Sequence, residues 1–460
     1  MKIEFYTKSL FAVFLSGMAA QAYCADLRTI EQNPDPQFYD ELAGRIGCAE
    51  AAKWVALPVT GSDTFTQTLD GMKRDALSRA GRGDRAKAWL SLSKKALFNT
   101  AGLAEHCSAP AQRRGMADGL NDLTRLAPDG LTIVTLGGFG SHNGAEGTIT
   151  TSVNKWQALR PDLFSSGRVS VVRIECSFSY ASDESYCAKD MLNKIEKFDA
   201  ESTAPGKHKY LLWGYSKGGT TAIEMLRISS LMRARTLAIV NIGTPVRGSI
   251  LLDKLVPALD MFAERANVPG LPNGTGMDTI TRILAFWVGG NRSGVSEIMS
   301  HFADFRAGAH SLTSADRESY LTRNLVPNGF LRPDGSKIPV FQMAGIVEPS
   351  RLEAIPVLTV KDGKLVPVAQ SSDTIHTGEM AALIASSGHP LSDSCVALED
   401  ALLPVKAAQD AGLDPRFLSI LRTDHLGLRL HRLPTDIKHG FPDAAVVDAA
   451  LATVARRLTP

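Results

Sequence analysis

Six short apolar runs constrain this chain more than anything else in it. Residues 131–136 read LTIVTL, 169–174 VSVVRI, 210–213 YLLW, 237–242 LAIVNI, 338–343 IPVFQM and 417–421 FLSIL. Each is strand-length and nearly continuous in hydrophobicity, without the polar alternation of a sheet that faces water on one side. Strands of that kind are buried on both faces, which requires a parallel sheet with helices packed above and below it. Most of the intervening segments carry apolar residues at helical spacing. The fold class is therefore α/β, a mostly parallel central sheet flanked by helices. At 460 residues, 44% hydrophobic and 21% charged, the chain is long enough for one large α/β domain with insertions. A net charge of +2 gives no electrostatic reason for a nucleic-acid partner.

The third run leads straight into Gly214-Tyr215-Ser216-Lys217-Gly218, and a helix-forming stretch, TTAIEMLRI, follows. The pattern Gly-x-Ser-x-Gly is common by itself. Between a strand and a helix it describes a turn so sharp that flanking side chains cannot be accommodated, which explains a glycine two residues either side of Ser216. Such a turn lifts the serine hydroxyl to the top of the sheet. There the amides and dipole of the next helix favour the negative charge of an acyl-transfer transition state. The bland alternative is a glycine-rich turn, and the strand–turn–helix context argues against it.

A serine hydroxyl needs a base to take its proton and an acid to orient that base. In a sheet of this type they follow the serine, acid first and histidine last. Asp393, in HPLSDSCV, lies in a polar loop from which a carboxylate can reach a histidine, and Glu348 is its rival by position. His425, in TDHLG directly after the last apolar run, is favoured as base over His439, which precedes the final helical segment. The oxyanion needs two backbone N–H donors. Lys217, after the serine, supplies one, and Phe139 in the loop GGFGSH after the first apolar run supplies the other. The sequence has neither a His-Glu-x-x-His nor a phosphate-cradling Gly-x-x-x-x-Gly-Lys-Ser/Thr pattern, so no metal and no cofactor is expected.

From Leu131 to its end the chain resembles the α/β-hydrolase superfamily, and within it the bacterial serine lipases and esterases. The matching pieces are LGGFG, GYSKGG, NIGTPVRGS, SDSCVALEDALLP and TDHLGL. That resemblance implies Ser216, Asp393 and His425 as nucleophile, acid and base. Two departures stand out: Ser394 replaces the glycine that usually follows the acid, and a long span, 343 to 393, separates the acid from its strand. The implied reaction is hydrolysis of carboxylic esters through an acyl-enzyme. A thioesterase or amidase with the same triad, or a non-catalytic binding protein of the same fold, are the alternatives.

Around this core, residues 1–22 read as a secretory signal peptide. Lys2 and Lys8 precede an apolar stretch, 10–20, and Ala20-Gln21-Ala22 supplies a small-x-small cleavage site. Export, to a periplasm or the exterior, is the expected address, with no transmembrane segment in the mature chain. Residues 23–128 read as a helical N-terminal extension and 129–460 as the hydrolase domain, with 249–335 a helical cap insertion. Its apolar residues, including Leu251, Leu252, Leu255, Leu259 and Met261 and the piece ITRILAFWV, point to a hydrophobic or lipid-like ester and to transient contact with a lipid surface. IPVLTVKDGKLVPV reads as a hairpin turning at Asp362-Gly363. Of the cysteines, Cys176 and Cys187 bracket a short polar loop and are the best-supported disulfide, with Cys48–Cys107 a second candidate.

Overall fold

The computed structural model describes residues 30–56, 117–139, 156–266, 302–346, 391–425 and 442–459. Short breaks fall at 159, 166, 179–182 and 203–204, and isolated pieces are described between 354 and 389 and at 428. Helices α1 (Pro36–Ile46), α2 (Cys48–Trp54) and α3 (Ala117–Leu126) precede strand β1 (Leu131–Leu136). The chain continues through α4 (Pro161–Phe164), β2 (Val169–Ile174), α5 (Glu184–Ala200), β3 (Lys209–Tyr215), α6 (Lys217–Ile228), α7 (Ser230–Arg235) and β4 (Thr236–Ile242). Then come α8 (Ile250–Ala266), α9 (Phe302–His310), α10 (Ser314–Asn324) and β5 (Ile338–Gly345). The short pieces β6 (Ala354–Ile355), β7 (Leu358–Lys361), β8 (Lys364–Pro367) and β9 (Ile375–His376) lead to α11 (Val405–Ala411), β10 (Leu413–Leu421) and α12 (Asp443–Leu458).

The six long strands form one sheet in the order β10-β5-β4-β3-β1-β2. Every pairing in it is parallel. Apolar residues leave it on both sides, as continuous hydrophobicity demands. Leu131, Ile133, Leu211, Trp213, Val240 and Phe341 join the core under α1 and α12. Their neighbours Val134, Leu136, Leu212, Ile239 and Val340 join the opposite core under α5, α6 and α11. The reversal in strand order lies at β1, β3 and β4, so the carboxyl ends of these strands open onto the crevice where open α/β sheets place their ligands. This is the α/β-hydrolase arrangement, with the connections after β1, β3, β5 and β10 at that end of the sheet.

Strand β10 begins at Leu413, four residues before the run expected at 417–421. Asp414, Pro415 and Arg416 hid its start. They are tolerated because β10 is at the end of the sheet order, where a proline removes no strand pairing on its outer side. Asp414 and Arg416 pair with each other at 2.8 Å. That outer edge is covered by the N-terminal segment: Asp35 N–H donates to the Phe417 carbonyl and Ala56 N–H to that of Ile420, both at 2.9 Å. Val55 bridges Leu421 antiparallel, which shields an edge that could otherwise pair with another chain. Helices α1 and α2 are divided at Gly47, whose φ of 86° a side chain would resist.

Strands β7 and β8 pair antiparallel with Lys361 opposite Lys364, the register of a two-residue hairpin around 362–363. Residues 57–116 of the expected helical extension, the apolar piece 280–288 and the leader 1–22 lie outside the described residues. Among the described residues no helix is long and apolar enough to cross a membrane. Cys176 and Cys187 form a disulfide at the mouth of the β2–α5 connection. Cys48 is also disulfide-bonded, to a residue outside the described ones, whereas Cys395 is buried and in no disulfide.

Candidate active site

Strand β3 ends at Tyr215 and helix α6 begins at Lys217, leaving a single residue, Ser216, to make the turn. Its φ of 51° and ψ of −126° are unfavourable for an L-residue. Strain of this size, about 1–3 kcal/mol, persists only where the surroundings enforce it. The glycines show how they do. A Cβ on Gly214 would stand 2.5 Å from the Gly219 Cα, and one on Gly218 would strike the Leu136 carbonyl. Gly219 is constrained as well, because a Cβ there would collide with Thr244 and Asn241. The sequence motif identified the first two; the third follows it directly and went unread. Ser216 N–H donates to the Ile242 carbonyl at 2.9 Å, tying the turn to the end of β4.

His425 follows β10, and Asp393 lies in the connection between β5 and α11. The sheet brings both to Ser216. His425 Nε2 lies 3.1 Å from Ser216 Oγ, and its Nδ1 lies 2.7 Å from Asp393 Oδ2. A carboxylate accepts there, so Nδ1 carries the proton and Nε2 presents its lone pair to the serine. The acid is pinned in turn. Asp393 Oδ1 accepts from the N–H of Cys395 at 2.9 Å and of Val396 at 2.7 Å. The His425 N–H donates to the Asp393 carbonyl at 2.6 Å, and the Tyr215 hydroxyl donates to the His425 carbonyl at 2.8 Å. All three side chains are buried.

Ser394 explains the departure from the family's acid loop. It has φ 80°, the left-handed conformation for which glycine is the usual residue. The chain keeps the turn geometry without the glycine. Two further glycines make room for the pair: a Cβ on Gly345 would lie 2.8 Å from the Asp393 Cβ, and one on Gly243 would lie 3.3 Å from His425 Nδ1. Neither was singled out in the sequence, although both end a strand-like run. The rivals Glu348 and His439 lie outside the described residues.

The loop after β1 lies against the serine. A Cβ on Gly138 would be 3.0 Å from the Ser216 Cβ, and the next residue, Phe139, is buried. Its ring packs on Phe305 of α9 with centroids 5.2 Å apart. Lys217 is buried too, and burial pushes its ammonium down to about 8. Asp393, Cys395 and His425 place possible metal-ligand atoms within 4.8 Å of one another among the described residues. Hydrogen bonds already engage both Asp393 oxygens, Oδ1 with the Cys395 and Val396 amides and Oδ2 with His425, and both His425 nitrogens.

Solved structures similar to this chain are esterases and lipases. A metagenomic carboxyl esterase aligns over 71% of this chain and 76% of its own, at 16% identity and a TM-score of 0.41. Lipase 1 of Pelosinus fermentans aligns over 72% and 98%, at 11% identity and a TM-score of 0.39. A Bacillus licheniformis lipase in its mature form aligns over 65% and 86%, at 15% identity and a TM-score of 0.35. No family model matches the chain, and no curated protein matches it.

Proposed function

We propose that this protein is an exported serine hydrolase that cleaves carboxylic esters with hydrophobic acyl groups. The observation that carries the reading is the hydrogen-bonded chain Ser216 Oγ–His425–Asp393 at a strained strand-to-helix turn. In the reaction His425 Nε2 takes the Ser216 proton as Oγ attacks the ester carbonyl. Asp393 holds the imidazole in the required tautomer and stabilises the imidazolium that forms. The carbonyl oxygen becomes an oxyanion, for which the backbone N–H groups of Phe139 and Lys217 are the donors. As the tetrahedral adduct collapses, His425 returns its proton to the departing alkoxide, which leaves as the alcohol. Water, activated by the same imidazole, then attacks the acyl-enzyme and releases the acid and free Ser216.

Export is supported by the Lys-then-apolar leader ending at Ala22 and by the Cys176–Cys187 disulfide. A hydrophobic acyl group is supported by the apolar residues of 249–335, one of which, Phe305, reaches the loop beside the serine. The test is to treat the purified protein with p-nitrophenyl butyrate and, separately, with a fluorophosphonate probe. Turnover together with labelling of the Ser216 peptide is expected. A folded protein that neither turns over the ester nor takes the label is a non-catalytic member of the fold.

A further inference from the structure

The turn at Ser216 needs only the backbone of Lys217, yet its side chain is buried, 2% exposed. The Lys217 Nζ stands over the ring of Phe139, 5.4 Å from the centroid. Phe139 is thus held from two elements, by a cation at the head of α6 and by Phe305 of α9. Among the described residues, the charged groups acting on the ammonium include Asp183 and Glu184 at the head of α5 and Arg317 of α10. Glu184 and Arg317 pair with each other, and Arg317 also donates to the Val246 carbonyl at 3.1 Å. An ammonium in such a place is costly, and a methionine or leucine would fill the same volume without that penalty.

We propose that the Lys217 ammonium is a positioning group for the reaction: by holding the Phe139 ring it fixes the loop after β1 against Ser216, and with it the Phe139 amide at the oxyanion. This inference rests on the serine-hydrolase reading above. The loop has little tolerance for movement, since a Cβ on Gly138 would already be 3.0 Å from that of Ser216. A misplacement of about 1 Å in such a site lowers turnover by as much as about a hundredfold.

Protonation gives the proposal a signature. Lys217 titrates near 8 in the folded protein against its ordinary 10.5. As pH rises through about 8 the charge over the ring is lost, so kcat falls and KM stays. Stability moves the other way. Between 8 and 10.5 the unfolded chain holds the proton that the folded one has released, so this group's contribution to stability rises with pH. It is lost again as pH falls through 8.

The experiment measures kcat and KM from about pH 6 to about pH 10 for wild type, K217M, K217R, F139L and K217M/F139L, with folding checked by circular dichroism. Wild type should lose kcat through about pH 8; K217M should be about tenfold slower at neutral pH, with unchanged KM and no alkaline fall. K217R should keep neutral activity and move the fall to higher pH. The double variant should be no slower than F139L. Wild-type kcat in K217M, an unmoved alkaline limb in K217R, or multiplicative losses in the double variant would overturn the proposal. Should K217M fail to fold, K217R and the wild-type profile decide. An inactive wild type, or an active Ser216→Ala, overturns instead the hydrolase reading beneath it.

Discussion

Ser216, His425 and Asp393 come from three separate connections, and each is held by backbone as well as by its partners. That arrangement lets their chemical roles be separated from their structural ones. Ser216→Ala removes one hydroxyl from a turn enforced by glycines, so the fold should survive while ester turnover falls on the order of 10⁶. His425→Ala should be nearly as damaging, and Asp393→Asn milder, about 10⁴, since the amide keeps the site's shape but not its charge. Kinetics beside a thermal melt check this; undiminished turnover in folded Ser216→Ala would remove the nucleophile assignment. Ser394 offers a different residue-scale test. Its φ of 80° disfavours any side chain, and its buried hydroxyl has no partner among the described residues. Ser394→Gly should therefore leave activity intact and stability within about 1 kcal/mol, strain relief offsetting the greater freedom of glycine in the unfolded chain. Ser394→Val, branched at that φ, should cost about 2 kcal/mol or more and disturb the acid. Equal tolerance of both in urea melts would mean the turn is not under that constraint.

At the scale of elements, the central strands were legible because burial on both faces leaves a run with few polar interruptions, as in LTIVTL and LAIVNI. The end of the sheet was not, because Asp414, Pro415 and Arg416 suit an edge and look like a loop. The covering of that edge by 35 and 54–56 left no residue pattern, since backbone groups make its hydrogen bonds. The meeting of Ser216, Asp393 and His425 was legible by order rather than by spacing. Strand order brings the connections after β3, β5 and β10 to one end of the sheet, whatever length of chain lies between Gly345 and Asp393. The glycines that clear the site were only partly visible: Gly138, Gly214 and Gly218 lie in the two loops singled out, while Gly219, Gly243 and Gly345 matter through atoms distant in sequence. The β2–α5 connection makes its own prediction. Cys176–Cys187, 11 residues apart, ties the loop before α5, whose Glu184 pairs with Arg317 of α10. The Cys176→Ala/Cys187→Ala double variant should lose about 2–3 kcal/mol in denaturant melts. An unchanged midpoint and slope would show that the loop is already held without it.

For the whole molecule, the proposed function turns on what the end of the sheet at Ser216 admits. Residues 249–335 supply much of the apolar material beyond the core, but part of it is used in packing. Leu251, Leu252, Leu255 and Leu259 are buried along α8, and Phe305 of α9 is buried against Phe139. On the proposed function the apolar residues of 249–335 form a surround for the acyl chain, and such a surround discriminates by chain length. Each methylene removed from water is worth about 0.8 kcal/mol, close to fourfold in binding. Where the gain is expressed in the transition state as well as in the ground state, it appears in kcat/KM. Along a series of p-nitrophenyl esters from acetate to palmitate, kcat/KM should climb by up to about fifteenfold per added pair of carbons. It should level off once the chain outgrows the surround or leaves solution. The polar alternative behaves differently: a site for short acids gains nothing from added methylenes and loses to steric exclusion. A maximum at acetate followed by steady decline would therefore reject the hydrophobic-ester reading and leave the serine chemistry standing, because both outcomes require turnover at Ser216.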